Sequence, residues 1–297
     1  MILAAGLGTR LQPLTDTKPK ALVPVVNKPC IARVIEYLKG YGIRHIVVNS
    51  HHHYQQMLDY LDHGRPFGLD IEVRVEQEIL GTGGGIRNTS DFWDDEPFIV
   101  INSDILTNID LKPALDFHRG SGSLATLILH DYAAFNQIRM DSGQNITEIS
   151  RQKSPGGRAF TGIHIIEPGL LSHIPETGFS DIIECYQRLI RAGESIKGYI
   201  SRGHTWFDIG SMEPYVKANH ALLGPKLFPS GRHCFLDSSA KLEEWAIIGE
   251  KTRIENHALI KRSILWDEVI VKPGVKVIDS VVSSFRIVDR DVTAEMI

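Results

Sequence analysis

Cysteine is scarce in this chain: Cys30, Cys185 and Cys234 stand singly, with no CxxC spacing. That pattern excludes a disulfide framework and a cysteine-based zinc site, and it suits a reducing cytosol. Long apolar runs are missing as well. Nothing approaches the roughly 18 consecutive apolar residues of a membrane span. The first residues are apolar but lack the basic flank and cleavage site of a secretory leader, so a buried strand is expected there. Nor is there an excess of positive charge, since 32 Lys+Arg face 36 Asp+Glu. This balance argues against nucleic acid as the main partner and leaves any phosphate binding to local groupings. What the chain does have is size and apolar content: 297 residues, 42% of them hydrophobic, enough for one large domain and a smaller one.

Up to about residue 220, apolar runs alternate with helical patterns. Strands are predicted at residues 1–5, 45–50, 70–76, 97–104 and 124–130, and later at 146–151, 159–167 and 195–201. Residues 31–42 and 53–64 carry helical spacing and end at glycine. Continuous apolar strands between helices predict an α/β domain with a mostly parallel sheet sandwiched by helices, whose ligands bind beyond the carboxyl ends of the strands.

Composition changes near Gly224-Pro225, and a six-residue period follows. Leu242, Ile248, Ile254, Ile260, Trp266, Lys272 and Ile278 occupy one position of the repeat. Ala246, Thr252, Ala258, Ile264, Ile270, Lys276 and Val282 occupy another. No amphipathic helix repeats in six, whereas a triangular parallel β-helix does. The tail therefore resembles the hexapeptide-repeat left-handed β-helix, and the domains are expected at 1–223 and 224–297. At little more than two coils it is too short for an acyltransferase site between subunits, and a structural or oligomer-forming role is expected.

The opening stretch ILAAGLGTRLQPLT starts like a dinucleotide fingerprint, but Leu11 stands where the third glycine belongs and Pro13 interrupts the helix that should follow. The P-loop spacing is absent too. What remains is a glycine loop whose backbone N–H groups suit phosphates, with the Thr9 hydroxyl, the bidentate fork of Arg10 and the point charge of Lys20. His51-His52-His53 is read as a strand-to-helix turn, because adjacent residues cannot face one metal ion from a helix. Cys30 has no base placed beside it by any motif, which argues against a nucleophile.

Together, LAAGLGTRLQPLT…KPKALVPV, EQEILGTGGGIRN (76–88), VINSDIL (100–106), FTGIHII (160–166) and WFDIGSMEPYVKAN (206–219) resemble, in order, the motifs of the sugar-1-phosphate nucleotidylyltransferases. The resemblance covers about residues 1–223, and the hexad tail is common in that family. It implies a Rossmann-like nucleotide-diphospho-sugar transferase fold and a cytoplasmic enzyme without membrane attachment. In the implied reaction a sugar-1-phosphate attacks the α-phosphorus of a nucleoside triphosphate and releases pyrophosphate.

On this resemblance Arg10 stabilises the departing pyrophosphate and Lys20 neutralises the α-phosphate. Ala5, Gly6, Gly8 and Thr9 cradle the nucleotide. Gln77, Gly81, Thr82 and Gly83 meet the base, and Asp104 and Asp208 bind Mg²⁺. The sugar phosphate falls to Gly84, Gln152, Lys153 and Gly162. Here the chain departs from its family, because the usual Glu-Lys-Pro triplet is replaced by Gln152-Lys153-Ser154. The motifs look most like enzymes that use GTP with mannose- or heptose-type phosphates. UTP, dTTP or ATP with glucose-type or amino-sugar phosphates stays open, as does a non-catalytic nucleotide-sugar sensor. The apolar tail favours homo-oligomers.

Overall fold

The computed structural model describes all 297 residues. By packing, the chain forms two compact units: residues 1–7 with 33–206, and residues 8–32 with 207–297. No helix is long and apolar enough to cross a membrane.

The first unit is built on a seven-stranded sheet. In chain order its strands are β1 (Ile2–Leu3), β2 (His45–Ser50), β3 (Asp70–Val75), β4 (Phe98–Asn102), β5 (Ala125–His130), β6 (Ala159–Ile166) and β7 (Ile196–Ile200). Their spatial order is β7-β5-β6-β4-β1-β2-β3. β1 runs parallel to β2 and β4, with Ile2 opposite Val48 and Ile101. Only β6 is antiparallel to its neighbours, β4 and β5. All six residues of β5 are buried, so the sheet is covered on both faces there, as the continuous apolar runs require. Among the helices, α1 (Cys30–Gly40) and α2 (Tyr54–Leu61) are those the periodicity predicts. The second is shorter than its pattern: residues 62–67 continue as 3₁₀ turns, with Asp62, His63 and Gly64 at positive φ. The glycine segment that follows β3 is itself helical, forming α3 (Gly81–Arg87). α4 (Leu111–Ser121) and α5 (Ile182–Arg191) are each capped by an Asp side chain, Asp110 and Asp181.

Within this core, His164 of β6 is fully buried and its Nδ1 lies 2.5 Å from the Tyr186 hydroxyl. Burial holds its pKa down at about 3, so the ring is neutral and shares one hydrogen with the phenol. An unfolded histidine titrates near 6.5. As pH falls below that value the unfolded chain takes up a proton that native His164 refuses, so stability declines with acidity. The slope for this one group is about 1.4 kcal/mol per pH unit. Urea unfolding at pH 7, 6 and 5 is expected to show that decline, and His164→Gln is expected to flatten it. An unchanged slope in the variant would refute the assignment.

In the second unit, α6 (Met212–Ala221) lies beside residues 24–27: the Tyr215 hydroxyl donates to the Pro24 carbonyl at 2.6 Å and Asn219 Oδ1 accepts from Val26 N–H at 2.8 Å. Both segments are tied to the tail. Trp266 Nε1 donates to the Tyr215 oxygen at 3.0 Å, and Asn27 Nδ2 donates to the Ile248 carbonyl at 2.7 Å. These buried bonds explain why packing groups 207–223 with the tail, although the composition changes only near residue 224.

The tail itself is a stack of short parallel strands. Lys241 pairs with Leu259 and Leu259 with Lys276, while Arg253 pairs with Ile270 and Ile270 with Ile287. Two series of buried residues run along it: Ile248, Ile254, Ile260, Leu265, Val271, Val277, Val282 and Val288, and Ala246, Thr252, Ala258, Ser263, Val269, Val275 and Ser280. Both advance by six, six and then five residues, so each of these turns takes seventeen, one fewer than the turn from Lys241 to Leu259. A strict hexad therefore loses phase after Ile260, which is why Lys272, Lys276 and Ile278 fall on core positions of the sequence pattern yet are not buried. The five-residue sides carry the corner residues Arg262 and Asp279, and the six-residue side before them carries Glu244, all three at positive φ. Stacked one above another, they form a ladder in which Arg262 binds Asp279 through two 2.6 Å hydrogen bonds and Glu244 through a third.

Candidate functional site

In the first unit the loops after β1, β2 and β4 leave the sheet at one edge, the carboxyl ends of parallel strands. Ala5 and Gly6 follow β1, and Asp104 sits half-buried in the turn after β4. This edge is held by a buried polar knot that sequence reading missed. Asn49, in β2, accepts the Ala4 N–H through Oδ1 at 2.8 Å and donates through Nδ2 to Glu76 Oε1 at 2.7 Å. The other Glu76 oxygen accepts the Leu80 N–H at 3.0 Å. Glu76 is 3% exposed and Asn49 is 2% exposed. The knot thus fixes both the start of the opening loop and the approach to α3. The only sequence signal was a polar residue closing an apolar strand.

The glycines of α3 have close protein neighbours. Gly83 and Gly84 are buried, and their N–H groups donate to the Ser180 carbonyl at 2.8 and 3.1 Å. Thr82 Oγ1 accepts the Ile182 N–H at 3.0 Å. A Cβ on Gly85 would stand 2.6 Å from Asn49 Nδ2 and 2.9 Å from Glu76 Oε1. The run is small where protein closes on α3 from both sides. Gln77 and Thr82 stay exposed, whereas Gly162 is buried in β6. Gln152 and Lys153 are exposed on the loop between residues 149 and 159.

The second unit holds the cations. Gly8 turns at φ 69°, where a side chain would be strained, and its carbonyl accepts hydrogen bonds from Leu11 N–H and the Thr15 hydroxyl. A Cβ on Gly8 would fall 3.1 Å from Lys20 Cβ, so the loop and Lys20 are packed together. Thr9 and Arg10 open a short 3₁₀ turn and are exposed. In the same unit, Asp208 Oδ1 accepts the Gly210 N–H at 2.7 Å. A Cβ on Gly210 would lie 2.7 Å from both Arg10 Nη2 and Asp208 Oδ1. Arg10 and Asp208 therefore flank one glycine, nearly 200 positions apart in sequence. Gly210 is a site residue that sequence reading did not single out; a glycine directly beyond a candidate metal ligand was its only mark.

The donor chemistry can be tested against a metal. No group of three His, Cys, Asp or Glu side chains exists anywhere in the chain. The histidine triplet forms no such group; His53 precedes α2 at φ 53°. A tetrahedral zinc cage calls for such a group, whereas a few carboxylates that leave room for water and phosphate oxygens suit Mg²⁺. Asp104 and Asp208 have that hard-oxygen character.

Comparison with known proteins adds the following. A family model described as nucleotidyl transferase matches residues 1–224. The chain is 28% identical to mannose-1-phosphate guanylyltransferase 1 of Arabidopsis thaliana, over 93% of this chain and 82% of that protein. It is 26% identical to UTP–glucose-1-phosphate uridylyltransferase of a Synechocystis species, over 98% and 88%. Among solved structures, HddC from Yersinia pseudotuberculosis complexed with GMP-PN is 26% identical with a TM-score of 0.63, covering 74% of this chain and 97% of that one.

Proposed function

Because this chain belongs to the nucleotidyl transferase family and is a sugar-1-phosphate nucleotidylyltransferase, we propose that it transfers GMP from GTP to a mannose- or heptose-type 1-phosphate. The observation that carries the base is the guanylyl assignment in the names of its relatives, together with a similarly folded protein solved with GMP-PN. A second reading has its own support: the Synechocystis relative, matched over nearly the whole chain, is named for UTP and glucose-1-phosphate.

In either case the chemistry brings two anions together, so positioning and charge neutralisation do most of the work. In the second unit, Arg10 takes the departing pyrophosphate and Lys20 the α-phosphate, with Gly8 and Thr9 along the triphosphate. In the first unit, Ala5, Gly6 and Gln77 serve the nucleotide and Lys153, Gln152 and Gly162 the sugar phosphate. Gly81, Thr82, Gly83 and Gly84 act by shaping α3 beside them. Asp104 and Asp208 are each assigned to Mg²⁺, which when bound supplies charge neutralisation on the phosphates. A cytoplasmic setting and self-association through a left-handed β-helical tail belong to the same reading.

A pyrophosphate-release grid of GTP, UTP, dTTP and ATP against mannose-, heptose- and glucose-type 1-phosphates tests it. The highest kcat/KM is expected with GTP and a mannose- or heptose-type substrate. A tenfold preference for UTP or dTTP with glucose-1-phosphate would overturn the assignment of base and sugar.

A further inference from the structure

A cavity of about 370 Å³ opens in the first unit, lined by His130, Asp131, Arg158, Ile200, Ser201, Arg202, Gly203 and His204. His130 is the last residue of β5 and Ile200 the last of β7, and the two strands are parallel neighbours with Ile200 opposite Leu129. The cavity therefore opens at the carboxyl-end edge of the sheet, the edge that also carries Ala5, Gly6 and Asp104. None of the residues assigned above to nucleotide, sugar phosphate or metal lines it.

His130 is 6% exposed, and its Nε2 has no hydrogen-bond partner in the protein. Its other nitrogen, Nδ1, lies 3.3 Å from His204 Nε2. His204 Nδ1 in turn lies 2.9 Å from Ser201 Oγ. In the tautomer in which His130 Nδ1–H donates to His204 Nε2, His130 Nε2 carries a bare lone pair. Burial lowers the pKa of both rings, that of His130 to about 4, so neither is protonated at neutral pH.

A buried ring nitrogen without a partner is costly, so the environment asks for a group such as a hydroxyl from outside. The rings packed on His130, next to the lining, agree with a carbohydrate. Trp206 meets His130 edge-on at 4.7 Å and Tyr132 stacks on it at 5.7 Å, offering apolar faces beside polar groups. Trp206 is fixed by its Nε1–H, which donates to the Thr161 carbonyl at 2.9 Å. On the lining, Arg158 and Arg202 outnumber the single carboxylate, Asp131, whose Oδ1 accepts from Asn136 Nδ2.

We propose that this cavity is a specificity subsite for the sugar of the sugar-1-phosphate, in which His130 Nε2 accepts a sugar hydroxyl and Arg202, with Arg158, receives an anionic oxygen of the same substrate. The inference rests on the sugar-1-phosphate reaction above and adds residues that the sequence motifs do not contain. The anionic oxygen has two possible sources, the 1-phosphate or a carboxylate on the sugar, and the probes are chosen to separate them.

The full-length enzyme is assayed with mannose 1-phosphate and with mannuronate 1-phosphate. His130→Phe is expected to raise the KM for the sugar phosphate about tenfold, the worth of one good hydrogen bond, with the KM for the triphosphate and the melting temperature unmoved. His130→Gln, whose amide oxygen is again an acceptor, is expected to recover most of the loss; a packing role alone would not distinguish Phe from Gln in this way. Arg202→Ala is expected to weaken both sugars alike if it meets the 1-phosphate, and only the uronate if it meets the carboxylate. Unchanged sugar KM values in both His130→Phe and Arg202→Ala, in an enzyme that turns over, would overturn the subsite alone. Absence of pyrophosphate release by the unaltered enzyme with every triphosphate and sugar phosphate would overturn the reaction class and the subsite together.

Discussion

Asp208→Asn is expected to lower kcat/KM on the order of a hundred- to thousandfold while leaving the fold intact. The substitution separates the two things Asp208 does. Its Oδ1 accepts the Gly210 N–H at 2.7 Å, and an Asn amide oxygen accepts the same hydrogen, so the local turn survives. What is lost is the negative charge, and with it the hard anionic ligand that Mg²⁺ requires. Circular dichroism and melting temperature should therefore match the parent, and the concentration of Mg²⁺ needed for half-maximal rate should rise. Asp104→Asn, in the other unit, is expected to behave the same way. Full activity in both variants would remove the metal assignment.

The neighbourhood of Asp208 sharpens this expectation. Arg10 Nη2 and Asp208 Oδ1 stand at equal distances from the position a Gly210 side chain would take, so the charge of each contributes to the setting of the other. Effects of Arg10→Ala and Asp208→Asn should then fail to add in the double variant, as neighbours in one network do. Arg10→Lys should not restore the parent rate, because a point charge does not replace a planar bidentate fork on phosphate.

Much of the architecture was legible because it depends on periodicity. The fully buried strand 125–130 and the helix beginning at Cys30 both show in the pattern of apolar residues, and one antiparallel strand does not disturb that pattern. The tail was legible as a repeat but not in its phase. A five-residue side at Arg262 and Asp279 hides inside a six-residue rule, since one missing residue per turn moves every later core position by one. Site chemistry was legible where residues carry charge or lack a side chain. Arg10, Lys20, Asp104 and Asp208 stand out in single motifs, whereas Asn49, Glu76 and His130 mean nothing until folding places a partner beside them or denies them one. The glycines of residues 81–85 were noticed for the close approach of a ligand, and the folded chain adds close approach of protein. Sequence alone did not say that the approaching group is the Ser180 carbonyl or the Asn49 side chain.

The largest loss of stability is expected from Asn49→Leu. Leucine has a similar volume and suits a buried strand, so the cost arises from polar groups left behind. The Ala4 N–H would lose its acceptor at 2.8 Å and Glu76 Oε1 its donor at 2.7 Å, both out of reach of water. Only the Leu80 N–H would still serve the Glu76 carboxylate. Leaving a buried donor or acceptor unsatisfied costs about 1–3 kcal/mol for each group, and more for a carboxylate that keeps its charge. Glu76→Gln in the same background removes that charge, so the double variant Asn49→Leu/Glu76→Gln should regain part of the loss. Urea unfolding of the three proteins measures it. If Asn49→Leu lowers stability by less than 1 kcal/mol, or the second substitution gives nothing back, the knot does not hold the opening loop. Because Asn49 anchors Ala4, one residue before the candidate nucleotide segment begins, a variant still folded at low temperature should also show a raised KM for the triphosphate. The sugar-phosphate KM should change less, since the residues assigned to it lie on other loops.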